Sequence, residues 1–406
     1  MAQLGLPSIA QRTYAGYSRG QSSVIAAKID ELVEAHGALR IHDPMAGEAA
    51  ELLKLASDRP RLTLTLRDLN PAALYYASAR VLASFDDGTE GLDDGLARID
   101  ELPEAARAPR PAPFLDAWLP DEHRRALAAL GAGVEEPPLD DPRSAAPLIA
   151  CVLAARVIAT YQATKNPTHF RQGGIVRSVG LAETVRSLAP RVFAHLGSQM
   201  SGHPLGGRVH LELGDSVEIA STSPQTFDLV VVSPPYGNSL DYSRLWSPEL
   251  AVVDALHGQN WMEAVRREQL GSVAVAGRTA PDVSSLPPVA QEALADVRAD
   301  KVPYAETYYY PKFAHFLLGL RQASVAAAGA VASGGSLMVF VRDTVRRDVV
   351  VPAGAVVEAA LHEAGLRVTE MERLIVRSHV GLRRKDPRPS LAGRAQREWV
   401  IEARRQ

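Results

Sequence analysis

Cysteine is nearly absent: Cys151 is the single thiol in 406 residues. One cysteine excludes a disulfide framework and a cysteine-based zinc cluster. Its neighbours, Leu148-Ile-Ala-Cys-Val-Leu-Ala154, are apolar, so it reads as a core residue. His42, His169, His315 and His379 show no metal-ligand spacing, and no metal is expected. Excess charge is also missing. The net charge of −3 gives no support to nucleic-acid binding, so any such surface must be local. No apolar run is long enough to span a bilayer and no signal peptide is evident, which predicts a cytoplasmic protein without a membrane partner. The chain has no Gly-x-Gly-x-x-Gly fingerprint, which argues against a dinucleotide, and no Walker lysine motif, which argues against ATP. It has no internal repeat and no low-complexity tract.

What is present is a core-forming chain, 46% hydrophobic, in which strand and helix signals alternate. Apolar positions recur at helical spacing from Ser22 to Glu34, and Gly37 would end that helix. Leu39-Arg-Ile-His42 reads as a strand, Glu48 to Leu55 as a helix, Leu62 to Leu66 as a strand, and a helix runs from Pro71 to about Ser84. This order is the first half of a doubly wound α/β sheet. From about residue 85 to 205 the chain is rich in Ala, Leu, Arg and Pro. That pattern predicts a mainly helical insertion, with one long helix over Ala146 to Thr164. Strands resume at Arg208 to Leu213 and Phe227 to Val232. A helix fits Tyr310 to Ala328. Gly334-Gly335 then turns into a strand over Ser336 to Val341, and a helix over Val356 to Ala364 is ended by Gly365. Leu366 to Val376 and Glu398 to Ala403 are terminal strands. Residues 1–84 and 206–406 thus form one α/β domain interrupted by the insertion at 85–205.

The chemistry concentrates at strand ends. Ser233-Pro-Pro-Tyr236 directly follows the apolar strand Phe227 to Val232. Two prolines cannot continue a sheet, so the chain leaves stiffly, with a hydroxyl before the turn and an aromatic ring after it. Such a corner can grip a flat, amine-bearing ring; the plainer reading is a Pro-rich turn after a core strand. Asp43-Pro-Met-Ala-Gly47 follows the first strand, at the end where ligands bind in open α/β sheets, and Gly47 permits close backbone approach. Asp68, followed by Leu69, ends the second strand, where a carboxylate can accept from both ribose hydroxyls. Asp215 ends the third strand, placed to meet an adenine amine. Each of these acids could instead be an ordinary helix N-cap. Three in successive crevices point to a nucleoside-containing cofactor.

These motifs resemble the S-adenosylmethionine-dependent amino-methyltransferases of DNA, which methylate adenine N6 or cytosine N4. Asp43-Pro-Met-Ala-Gly47 partly matches the family's Asp-Pro-Phe-x-Gly-Ser-Gly, and Ser233 to Tyr236 match its Asp/Asn/Ser-Pro-Pro-Tyr/Phe/Trp motif in full. Tyr236-Gly-Asn-Ser-Leu-Asp-Tyr242, Gly334-Gly335 and Arg397-Glu-Trp-Val-Ile-Glu402 are similar to later family features. The segment from Tyr17 to Lys28 stands where the family has its cofactor-flanking motif. The resemblance implies a Rossmann-like class I methyltransferase fold. It assigns catalysis to Ser233, Pro234, Pro235 and Tyr236, and S-adenosylmethionine to Tyr17, Asp43, Pro44, Met45, Ala46, Gly47, Asp68, Leu69 and Asp215. It further implies a duplex DNA partner with a flipped base, and a possible restriction-system partner. The serine variant leans toward cytosine N4. Met45 stands where the family has phenylalanine. Glu48-Ala49 replaces Ser-Gly, which makes the loop more acidic and less flexible.

Local basic clusters supply candidate nucleic-acid contacts. These are Arg171 and Arg177, Arg266 and Arg267, and Arg383-Arg384-Lys385. Arg346-Arg347 is a smaller cluster and Tyr308-Tyr-Tyr310 a possible stacking run; each could equally be a solvated face or core. Two other functions stay open. One is methylation of another planar amine: guanine N2 in RNA, a protein glutamine amide or a small metabolite. The other is a non-catalytic DNA-binding subunit that kept the fold.

Overall fold

Alternating helices and β-branched or leucine-rich runs give the predicted α/β architecture. The computed structural model describes residues 19–90, 92–93, 139–146, 148–153, 155, 181–200, 202–219, 226–237, 241–257, 260–272, 274, 279–375 and 397–406. Most of the insertion at 85–205 therefore lies outside the described residues, as do Tyr17, Arg171, Arg177, Arg383, Arg384 and Lys385. The chain divides into two units. The first comprises Met1–Gly16, Gly47–Leu213 and Tyr242–Val265; the second comprises Tyr17–Ala46, Gly214–Asp241 and Arg266–Gln406.

In order, the elements are α1 (Arg19–His36), β1 (Leu39–Asp43), α2 (Ala50–Asp58), β2 (Leu62–Asp68), α3 (Pro71–Leu82), α4 (Leu181–Gly197), β3 (Val209–Leu213) and β4 (Phe227–Val232). There follow α5 (Tyr242–Leu245), α6 (Ser247–His257), α7 (Trp261–Glu268), α8 (Pro288–Ala299), a π-helical turn (Ala305–Tyr309) and α9 (Tyr310–Ala330). The chain ends with β5 (Val331–Val341), β6 (Thr344–Arg346), β7 (Val349–Val351), α10 (Ala353–Glu363), β8 (Leu366–Ile375) and β9 (Arg397–Arg405).

In the first unit β2 and β3 pair in parallel from Leu64↔Val209 to Asp68↔Leu213. Pro71 opens α3, and Asn70 caps it by accepting from the Ala72 N–H at 3.0 Å. Every residue of α3 is buried: apolar, aromatic and small side chains line most of its surface, and the charged Arg80 is paired with Glu48. Tyr76 meets the Trp246 ring edge-on at 5.2 Å. Arg208 donates to the carbonyls of Ala56, Arg59 and Leu62, satisfying acceptors at and beyond the end of α2.

The second unit holds the sheet's centre. β1 pairs with β4 and β4 with β5, both in parallel; β9 runs antiparallel between β5 and β8. Ile25 and Ile29 of α1 are fully buried, as are Leu229, Leu337, Val339 and Ile401. Lys28 is buried too and forms an ion pair with Glu402 at 2.7 Å. The overall strand order is β3-β2-β1-β4-β5-β9-β8. The sequence of strands reverses between β1 and β4, as in a doubly wound sheet.

The beginning of β5 differs from expectation. The double glycine does not precede the strand but lies inside it. Helix α9 passes at Ala330 straight into Val331 without a loop, and the Thr226 N–H holds the Ala330 carbonyl at 3.0 Å. Phe227 faces Val331 while Leu229 faces Ser336, so the strand bulges between them. Gly334 takes φ +76°, and a Cβ on Gly335 would stand 3.0 Å from the Phe227 carbonyl oxygen. Only glycine fits such a bulge without strain.

Candidate active site

The crevice at the carboxyl ends of β1 and β4 lies within the second unit, with Ile41 facing Leu229 and His42 facing Val230. It is the topological switch point of the sheet, where open α/β folds place ligands. Both expected motifs emerge there. Asp43 is 1% exposed, and its Oδ1 accepts from the Met45 N–H at 3.0 Å, which shapes the turn. Pro44 and Ala46 are buried, and Met45 packs against the core where the family carries phenylalanine.

On β4 the prolines end the ladder at Val232, as their missing N–H groups require. Pro234 is buried, whereas Ser233, Pro235 and Tyr236 are half-buried. The turn is held close against its surroundings. A Cβ on Gly237 would lie 2.9 Å from the Phe316 ring and 3.2 Å from Thr344 Oγ1. Gly271, at φ +74°, approaches so near that its Cβ would be 3.3 Å from the Tyr236 carbonyl oxygen.

Tyr236 is anchored by residues that sequence reasoning did not assign to the site. Its phenol donates to Glu398 Oε1 at 2.5 Å, and the Arg342 guanidinium lies over its ring, 4.5 Å from the centroid. Arg342 follows the last residue of β5 and is 6% exposed. Its Nη2 stands 4.0 Å from Glu398 Oε1. Nε and Nη1 are buried without a hydrogen-bond partner among the described residues. Glu398 is fully buried in β9. Burial pushes its carboxyl above the usual range, against the opposing effects of the Tyr236 hydroxyl, the Arg342 charge and Gln21. The neighbouring Asp343 is fixed by the Trp399 indole at 2.8 Å and the Gly354 N–H at 3.0 Å. Two sequence signals pointed this way: an arginine at the carboxyl end of a core strand, and a lone acid inside Arg397-Glu-Trp-Val-Ile401.

The first unit carries the rest of the assigned cofactor residues. The Gly47 N–H, at φ +55°, donates to Asp68 Oδ2 at 2.7 Å, and the Asn70 N–H donates to Oδ1 at 2.8 Å. Burial raises the Asp68 pKa, while N–H bonds from Asn70, Gly47 and Leu69 oppose the rise. Leu69 is half-buried. The acidic substitution after Gly47 is neutralised inside the fold: Glu48 is 2% exposed and pairs with buried Arg80 at 3.0 Å. Arg80 also donates to Gln199 Oε1 at 2.6 Å. Ala49 adopts φ +48°, ψ +24°, the left-handed conformation natural to the glycine of the family pattern. Helix α2 therefore starts at Ala50, two residues later than the sequence pattern placed it.

Asp215 stands two residues beyond the end of β3 and caps a short 3-10 turn, accepting from the Val217 N–H at 3.0 Å. This is the capping role weighed for it from sequence. Arg266 reaches Asp241 at 3.6 Å, and Arg267 is exposed. Arg346 and Arg347 turn the β6–β7 hairpin and both approach Asp300, at 3.7 and 3.5 Å. Arg346 also covers the Tyr309 ring. Tyr308, Tyr309 and Tyr310 are half-buried, with Tyr308 edge-on to Tyr309. Burial and the Arg346 charge push the Lys312 ammonium down to about 8. Cys151 is 2% exposed. Among the described residues no three His, Cys, Asp or Glu side chains are grouped to hold a metal, and no helix is long and apolar enough to cross a membrane.

No family model matches the chain, and no curated protein matches it. Solved structures give distant likenesses. A "possible exported protein" from Bordetella parapertussis shares 9% identity at TM-score 0.32, covering 98% of this chain and 77% of its own. The rRNA methyltransferase AviRa from Streptomyces viridochromogenes shares 12% identity. One structure of it aligns at TM-score 0.30 over 99% of this chain and 94% of its own; a second aligns at 0.27 over 98% and 93%. Superpositions this loose say nothing about activity.

Proposed function

We propose that this chain transfers a methyl group from S-adenosylmethionine to the exocyclic amine of a DNA base, cytosine N4 or adenine N6. One observation carries the reading: Ser233-Pro-Pro-Tyr236 leaves β4 at the switch-point crevice, with its aromatic ring held by Glu398 and Arg342. The resemblance assigns the cofactor to Asp43, Gly47 and Asp68. Those residues suit it chemically: the Asp68 carboxylate is an acceptor for ribose hydroxyls. The Glu48 charge is matched by Arg80, and Ala49 keeps the glycine-like backbone. When bound, the cofactor supplies an electrophilic sulfonium methyl.

The protein's own part is positioning. An exocyclic amine is a poor nucleophile because its lone pair is delocalised into the ring. The Ser233 hydroxyl and the Pro234 carbonyl would accept its hydrogens and favour a tetrahedral nitrogen with a directed lone pair. Tyr236 would stack on the base, which must leave the duplex to reach the corner. No cysteine nucleophile is required, and Cys151 is buried away from solvent. Long-read modification mapping of DNA from expressing cells tests the reading. Modified sites are expected with the wild type, falling about tenfold or more with Ser233→Ala. Equal modification in both samples, or none in either, refutes it. The net charge of −3 favours a second reading, a planar amine that is not part of a polyanion, such as a protein glutamine amide or a small metabolite. Methyl transfer to a protein or small-molecule fraction rather than to plasmid DNA or total tRNA would select it.

A further inference from the structure

Three non-glycine residues among those described take a left-handed backbone: Ala49, Tyr304 and Arg347. Ala49 keeps the shape of the first turn. Tyr304 and Arg347 have no part in the proposed chemistry, and both are exposed. Tyr304 is 71% exposed at φ +68°, an outlier for a bulky side chain, and so exposed a ring is not held there by packing. Arg347 is 58% exposed at φ +52°. It is the first of the two residues that turn the β6–β7 hairpin, a place that glycine or asparagine fills with less strain. A ring and a guanidinium held outward on strained backbone point to a use at the surface.

Both stand on segments tied to the Pro-Pro-Tyr corner. Thr344, which opens β6, and Phe316 of α9 close around Gly237, next to Tyr236. Arg347 is three residues beyond Thr344, about 10 Å of strand, which is a span of about three stacked nucleotides. Tyr304 precedes the π-helical turn, an uncommon element that is frequent at functional sites. Its carbonyl accepts from the N–H groups of both Tyr308 and Tyr309. The Arg346 guanidinium over the Tyr309 ring joins this turn to the hairpin, and so does Asp300, which meets Arg346 and Arg347. One carboxylate facing two arginines leaves a surplus positive charge. Arg346 lies inward on the ring, and Arg347 is the outward one.

We propose that Tyr304 and Arg347 form a strand-holding surface beside the corner: the ring stacks on a nucleobase flanking the target, and the guanidinium meets a backbone phosphate. This rests on the proposed transfer to a DNA base. The surroundings favour that partner over a protein. The other large hydrophobic side chains exposed among the described residues, Leu213, Val217 and Val289, belong to other elements. Lys301, Glu306 and Asp348 are charged and exposed. A protein interface centres on an apolar patch, whereas a stacked base needs one ring and a nearby cation. Such a surface is local, as the net charge of −3 requires.

The test measures binding of a short fluorescein-labelled DNA oligonucleotide of mixed sequence, single-stranded and duplex, by anisotropy across a salt series. The variants are Tyr304→Gly, Tyr304→Phe and Arg347→Gly. Each glycine relieves a left-handed residue, so denaturant midpoints should hold or rise while binding falls. Tyr304→Gly should weaken binding about tenfold with an unchanged salt slope, and Tyr304→Phe should stay within about twofold of wild type. Arg347→Gly should weaken binding and lower the salt slope by about one ion. Glycine variants within about twofold of wild type overturn the proposal, as does a Tyr304→Phe loss equal to that of Tyr304→Gly. A fall in binding that tracks a fall in denaturant midpoint also overturns it, since that marks a packing role. Wild type that binds neither form overturns the DNA reading itself, a result distinct from variants that match a binding wild type.

Discussion

Two turns leave the carboxyl ends of neighbouring parallel strands and treat their polar groups in opposite ways. After β1, Asp43 accepts from Met45, Gly47 donates to Asp68, and Glu48 is matched by Arg80. After β4, the phenol of Tyr236 is matched by Glu398, but Arg342 beside it keeps two buried donors without hydrogen-bond partners among the described residues. The first turn ties its N–H groups to Asp43 and Asp68 and so sets a fixed backbone shape, with Arg80 Nε left without a hydrogen-bond partner among the described residues. The second leaves Arg342 Nε and Nη1 and Glu398 Oε2 in that state. A polar network with fewer unmet groups marks scaffold, and one with more marks where a ligand can contribute.

The contrast can be broken at its strongest point first. Glu48→Ala would leave Arg80 charged and buried, with Gln199 as its remaining partner, and should cost about 3–5 kcal/mol in denaturant unfolding. A loss below about 1 kcal/mol would mean that the first turn is not closed by this pair. Tyr236→Phe keeps the ring and removes the donor to Glu398, so stability should fall by about 1–3 kcal/mol while much of the activity survives. The Glu398 pKa is already raised, so its stabilising contribution is present at low pH and is lost as pH rises through the folded value. Removing the phenol raises that value further and should steepen the fall in stability with pH. An unchanged pH profile would separate Glu398 from Tyr236. Ala49→Gly relieves a left-handed alanine and should stabilise the fold by about 0.5–1 kcal/mol without changing methyl transfer. A gain in cofactor affinity instead would show that Ala49 strains the first turn in use.

Much of this layout was legible in the chain. β4 occupies Phe227–Val232 as its apolar run indicated, and the prolines end it for the reason given by their missing donors. β1, β2 and α1 lie within a few residues of their sequence patterns. The Ser-Pro-Pro-Tyr corner was legible because its chemistry is local. Arg80, Arg342 and Glu398 were not, because each takes its role from a partner far along the chain. Arg80 looks like a surface position on a helix until Glu48 is seen against it. Glu398 meets Tyr236 across 162 positions. The β6–β7 hairpin is three residues a side, too short for periodicity to show. The start of β5 was hidden because Gly329, which reads as a helix end, still lies inside α9, and Val331 follows Ala330 with no loop between.

That loopless passage from Ala330 to Val331 makes chain length itself a constraint on chemistry. Strand side chains alternate faces, so one added residue at the splice would turn every following position of β5 over. Only the Gly334-Gly335 bulge offers room to absorb it. Otherwise Arg342 would leave Tyr236 although no atom near either had been altered.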